Sequence, residues 1–191
     1  MLSPLVTYTQ RHLPHWSPPG QDIFFTWRLH DSLPAGFRPL TDAESSGKAF
    51  VSYDRILDQA QTGPIWLKDP RIAQCILMAL NAAEHQKMFV LHAYVLMANH
   101  VHVLLAPQAP IAQITRQIKG ATAREANLIL GRTGLRFWQA ESFDHWIRDS
   151  GEWQRVRTYI ERNPVAAGLV HKPEEWPCRA LRTLLDSGPV G

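Results

Sequence analysis

The residues with chemical potential concentrate in two short stretches. The first is YVLMANHVHVLLAP, residues 94–107, an apolar run that carries Asn99, His100 and His102. Side chains two apart on a strand point to one face, so His100 and His102 project together while Val101 and Val103 face the other way. Two neutral imidazoles side by side suit a divalent metal, and an oxygen or amide ligand from elsewhere would leave positions open for a substrate. An H-x-H alone also fits two histidines on a half-exposed sheet face. The surrounding apolar run implies burial, where polar groups need a partner or a ligand.

The second stretch is VRTYIERNP, residues 156–164. On a helix Trp153, Val156 and Ile160 share a core-facing side, and Tyr159 and Asn163, four apart, are neighbours on the adjoining stripe. Arg155 and Arg162 lie beyond Tyr159 towards solvent. A phenol between an amide and two guanidiniums suits phosphoryl transfer. Its ordinary pKa of about 10 makes it a weak nucleophile without nearby positive charge. The same spacing also fits a boundary tyrosine whose ring packs and whose hydroxyl meets water. Of the chain's four tyrosines, Tyr94 shares the parity of His100 and His102 but, read along one strand, lies about 20 Å from His100.

These stretches need a scaffold. The first 22 residues, with Pro4, Pro14, Pro18, Pro19 and Gly20, read as an extended arm. Strands are expected over DIFFTWRLH (22–30), MFVLHAYVLM (88–97) and HVHVLLA (100–106), the last two joined through Ala98-Asn99. Helices are expected over 41–60, over 69–87 with Asp69 as cap and Pro70 in the first turn, and over 110–130. A last helix spans 150–163, opened by Asp149 and Glu152 at capping-box spacing and closed before Pro164. LRFWQAESFDHWIRD reads as irregular with short strands. This order indicates an α+β fold on a small antiparallel sheet. The expected organisation is an arm over 1–22, one domain over 23–170 and a tail over 171–191.

Bulk properties agree. The 191 residues are 45% hydrophobic and 19% charged, which fits a globular chain. No run reaches the roughly 20 apolar residues of a membrane span, and no signal peptide is evident at the N-terminus. Two cysteines in no metal-like spacing suit a reducing cytoplasm. A net charge of +3 and a pI near 9.1 permit nucleic-acid binding without requiring it. Nine histidines and seven tryptophans, several beside arginines, suit stacked bases and phosphates, and equally a core of tryptophans with surface histidines.

Three blocks then resemble a known family in the expected order. MANHVHVLL resembles the M-P-N-H-V-H-x-L-L signature of the HUH single-tyrosine transposases, with Ala98 in place of the common proline. SFDHWIRDSGEWQRVRTYIERNPVAAGLV resembles the C-terminal block of the REP-associated tyrosine transposases, and RHLPHWSPPGQDIFFTWRLHDSLP their N-terminal block. WPCRA loosely fits that subgroup's ending, so the resemblance spans about residues 10–180.

The resemblance implies a ferredoxin-like (RRM-like) domain, with a central antiparallel sheet and packed helices. It implies metal-dependent cleavage and rejoining of single-stranded DNA near hairpins, with Tyr159 as the nucleophile forming a 5′-phosphotyrosine link. His100 and His102 would hold Mg2+ or Mn2+ with Asn163, which stands where related transposases place a glutamine. Arg11, His12, Trp16, Lys119, Arg124, Arg155 and Arg162 are the candidate DNA contacts by charge and aromaticity. The partner would be a single-stranded DNA hairpin, with no membrane, and the chain a monomer or homodimer. Two other functions compete. One is a domesticated hairpin-binding protein without turnover. The other is a metal-dependent nuclease in which water attacks, which would leave no phosphotyrosine.

Overall fold

The computed structural model describes residues 8–10, 14–16, 20–34, 54–59 and 62–181. Its centre is an antiparallel sheet in the order β6–β3–β5–β4–β7. The strands are β3 (Ile23–Arg28), β4 (Phe89–Leu96), β5 (His100–Pro107), β6 (Phe143–Trp146) and β7 (Arg179–Leu181). A separate pair joins β1 (Tyr8–Gln10) to β2 (Pro14–Trp16). The helices are α1, described over 54–59, α2 (Pro70–His85), α3 (Ile111–Ile129) and α4 (Ser150–Ala166). The run β3–α2–β4–β5–α3–β6 with its strand order is the ferredoxin-like arrangement, so the α+β expectation holds.

Alternation along β3 and β5 sorts the core into two layers. Phe25, Trp27, Val101, Val103 and Leu105 meet Ile72, Ile76 and Leu80 of α2 and Ile114 and Ile118 of α3. On the opposite face Phe24, Ala93, Val95, Met97 and Leu104 meet Trp153 and Ile160 of α4. Each element's apolar stripe therefore has one side of the sheet to bury against.

The β4–β5 register shifts between Leu91 and Ala93. Such an irregularity reverses the side-chain alternation downstream. Leu91 faces α2 and α3, whereas Ala93 faces α4. The turn at 97–99 also folds the chain back, so Tyr94 pairs with Val103 and packs in the α2–α3 layer. This corrects the parity argument, which placed Tyr94 on a continuous strand with the histidines.

Three further differences from the sequence reading have local causes. The arm contains the β1–β2 pair, and Pro14 is tolerated because it opens its strand. The segment read as tail contributes β7, and just before it the Trp176 indole donates to the Leu96 carbonyl at 2.9 Å while Leu96 N donates to the Cys178 carbonyl. Finally, α4 runs through Pro164 to Ala166. Gly168 at φ +70 then stops it, with its N–H bonded to the Val165 carbonyl and the Leu169 N–H bonded to the Pro164 carbonyl. That pair of bonds is a Schellman motif, so a left-handed glycine terminates the helix rather than the proline. Of the helix expected over 41–60, residues 54–59 are described and helical; the remainder lies outside the described residues. Among the described residues no helix is long and apolar enough to cross a membrane.

Candidate metal and nucleophile site

His100 and His102 sit on β5 facing α4, both fully buried, with ring centroids 4.7 Å apart. Each ring is oriented through its Nδ1. Asn99 donates its Nδ2 to the Leu57 carbonyl at 3.1 Å. A carbonyl only accepts, so this bond fixes which end of the Asn99 amide is oxygen. That oxygen accepts from His100 Nδ1 at 2.7 Å, which leaves the lone pair of His100 on Nε2. Thr26, opposite His102 in the ladder, places its Oγ1 2.7 Å from His102 Nδ1. Asn99 was expected in the connection between the two strands. It also sets the tautomer of its neighbour.

A carboxylate from α1 meets both imidazoles. Asp54 Oδ1 lies 3.2 Å from His102 Nε2 and 3.6 Å from His100 Nε2. Asp58, one turn later, brings Oδ1 to 3.6 Å from His100 Nε2. Asn163 of α4 donates Nδ2 to Asp54 Oδ2 at 3.2 Å. His100 Nε2 and the Oδ1 atoms of Asp58 and Asn163 are buried without a hydrogen-bond partner. Buried acceptors of this kind are costly unless a proton or cation joins them. Asp54, His100 and His102 offer ligand atoms all within 4.8 Å of one another. The donor set, two imidazole nitrogens and carboxylate oxygen, suits a divalent cation.

The charge states of His100 and Asp54 favour ligation. Burial pushes His100 down to about 3, against the pull of Asp54, so its imidazole is neutral near pH 7. Burial works to raise Asp54, but the charges of His102 and His100 and the hydrogen bonds from His102 and Asn163 bring it below the usual carboxylate range. Asp58 is pushed up to about 7 by burial and by the charge of Asp54.

Tyr159 reaches the same place. Its ring is 5.6 Å from the His102 ring and 6.1 Å from Phe24, edge-on to Phe24. Helix α4 is fixed above the sheet by Ile160 and Trp153 and at its start by side-chain bonds. Asp149 accepts from Glu152 N at 2.8 Å, and the Trp153 indole donates to Asp22 Oδ2 at 2.7 Å. His92 places Nε2 3.2 Å from the same Asp22 oxygen.

The other candidate residues are dispersed. Arg155 and Arg162 are exposed on α4. Arg124 is exposed on α3, across the sheet from the histidines. Trp16 lies in β2 opposite Tyr8, and Arg11 and His12 lie outside the described residues. Lys119 turns inward. Its ammonium donates to the carbonyls of Gln139 and Ala140 and to Ser142 Oγ, which consumes the donors expected to meet a phosphate.

Burial, and then the nearby Arg28, lower Lys119 to about 8. The fold therefore gives up this proton before the unfolded chain does, and stability rises with pH between about 8 and the unfolded value near 10.4. Relative to Lys119→Met, wild type is expected to gain about 1.5 kcal/mol between about pH 8 and about pH 9.5, read from urea midpoints.

The sequence reading missed Asp54, Asp58, Thr26 and the partner role of Asn99. Asp54 and Asp58 stand four apart in a segment expected to be helical, so their shared face was readable. Their burial was not.

A ferredoxin-like sheet carrying two buried imidazoles against a carboxylate, under a helix that presents a tyrosine, is the class of protein these features define. Residues 66–163, just over half of the chain, match the family described as IS200-like transposase, and the chain belongs to that family. It is also similar in fold to a solved REP-associated tyrosine transposase bound to a REP hairpin, with a TM-score of 0.54 and 19% identity over 91% of this chain and 81% of that one. A putative transposase from Deinococcus radiodurans aligns with a TM-score of 0.41 and 15% identity, over 85% of this chain and 96% of that one. No curated protein matches the sequence.

Proposed function

We propose that this transposase cuts and rejoins single-stranded DNA beside a hairpin through a 5′-phosphotyrosine intermediate on Tyr159. The observation that carries the reading is the Tyr159 ring 5.6 Å from His102, within one chain that also supplies His100 and Asp54. Family membership supports it, as does the fold shared with a REP-associated transposase bound to a REP hairpin.

His100 Nε2, His102 Nε2 and Asp54 Oδ1 would hold a divalent ion, Mg2+ or Mn2+, with Asn163 Oδ1 and Asp58 as further oxygen donors. Such an ion polarises the scissile phosphate when bound. Asn99 and Thr26 keep the imidazoles in the ligating orientation. Tyr159 Oη forms a bond to phosphorus as the bond from phosphorus to the 3′ oxygen breaks. The phenol loses its proton, and the departing oxygen takes one up to become a 3′ hydroxyl. The 5′ phosphate stays on Tyr159. The reverse attack by a 3′ hydroxyl rejoins strands, and the retained phosphodiester energy removes any need for ATP. Arg155 and Arg162, one turn to either side of Tyr159, would offset phosphate charge. Arg124, Trp16, Arg11 and His12 would lie along a longer DNA path.

The test is a denaturing gel of the purified chain with a labelled single strand carrying the hairpin beside its own gene, with Mn2+ or with chelator. A metal-dependent covalent band is expected. A shift on a native gel without any covalent band would overturn the reading in favour of a hairpin-binding protein. Cleavage without an adduct would overturn it in favour of attack by water.

A further inference from the structure

Arg28 is the last residue of β3 and stands opposite His100 in the β3–β5 ladder. Directly opposed residues of an antiparallel pair share a face, with Cβ atoms about 5 Å apart. Arg28 therefore begins on the same side of the sheet as the two histidines. Its guanidinium is half-buried and held from one end, where Nη1 donates to Ser32 Oγ at 3.3 Å and to the Leu29 carbonyl at 3.4 Å. Ser32 is itself buried and donates to the same carbonyl at 2.8 Å. These bonds orient the group without neutralising it.

Among the described residues no carboxylate forms an ion pair with Arg28. A guanidinium carries five N–H donors, and partly buried cations usually have an anionic partner. A second cation adds to the positive charge here. Lys119 is close enough for Arg28 to depress its pKa, with Glu141 offsetting part of the effect. Because the Lys119 ammonium is spent on the 139–142 loop, it contributes positive field rather than a free donor. An oriented fork without a carboxylate partner among the described residues, on the residue paired with His100, can take a pair of phosphate oxygens.

We propose that Arg28 is a positioning residue that binds the backbone phosphate next to the scissile one and so sets the register of the single strand over His100 and His102. The proposal rests on the reading of the site given above. The adjoining phosphate is the anion that a single strand would bring to this end of β3. Sequence-independent contacts of this kind fix register without reading bases.

The test pairs protein variants with backbone-neutralised DNA, using the full chain and the hairpin strand from beside its own gene. Arg28→Gln is expected to weaken binding about tenfold and to lower the salt slope of log K by about 0.7, the single-strand value for one lost phosphate contact. Arg28→Lys should keep the slope while losing part of the affinity, since the charge remains and the fork does not. Single methylphosphonate substitutions should weaken wild type at a linkage neighbouring the cleaved one, and Arg28→Gln should be indifferent at that linkage. The wild-type series needs no variant, so it decides even if Arg28→Gln folds poorly.

If wild type forms its adduct but no neighbouring linkage is sensitive, the role of Arg28 is overturned and the site reading stands. An unchanged salt slope in a folded Arg28→Gln overturns that role equally, as does an effect that follows base identity. If wild type forms no adduct, the site reading fails and this inference falls with it.

Discussion

Tyr159→Phe is expected to abolish the covalent protein–DNA band and to lower strand cleavage by a factor of about 10⁴ or more. The substitution removes one oxygen and leaves the ring in place against Phe24 and His102. The fold, the metal cluster and the arginine flank should therefore persist, and DNA affinity should change little. That separation makes the variant informative. Loss of the adduct with retained binding locates the reacting atom on Tyr159. Retained cleavage in Tyr159→Phe would show that another nucleophile reacts. Tyr94 could not replace it, because it packs among the α2–α3 core on the far side of the sheet.

The second large effect concerns Asp54. Asp54→Ala is expected to weaken Mn2+ binding by more than about 100-fold, measured by titration calorimetry without DNA. Losing an outer partner of a ligand typically costs 10- to 100-fold, and a direct ligand should cost more. The substitution removes the anionic oxygen that faces both Nε2 atoms and releases the Asn163 amide that it accepts from. Asp54→Asn should fall between, since an amide oxygen can ligate without charge. Unchanged Mn2+ affinity in Asp54→Ala would show that this carboxylate serves only to hold the imidazoles and Asn163.

The contrast between Asp54 and the histidines shows where sequence is informative. His100 and His102 are conspicuous because a polar pair interrupts an apolar strand, and the period-two rule puts both on one face. Tyr159 and Asn163 are legible for the same local reason, at helical spacing. Asp54 and Asp58 are also correctly spaced, but two acids on a helix look like ordinary solvated surface until the helix is docked. Only tertiary packing buries them against β5. Tyr94 fails for a related reason, since its face depends on a turn at 97–99 and a register shift that strand parity does not contain. Pro164 is a third case. Its local preference ends a helix, yet Pro164 is buried within α4, which continues to the Gly168 stop. Lys119 shows the limit of charge as a guide, since its ammonium is bonded to backbone carbonyls and a serine.

The fastening of α4 has a consequence for genetics. The helix bearing Tyr159 is held to its own sheet by Ile160 and by the Trp153–Asp22 bond, and to α1 by the Asn163–Asp54 bond. Exchanging it with another copy would require all three to break before they re-form on the partner. Two inactive variants, Tyr159→Phe and His102→Ala, should therefore fail to complement one another when mixed. Complementation in the mixture would show instead that the helix exchanges between copies, so the pairing reads whether Tyr159 serves its own histidines or those of another copy.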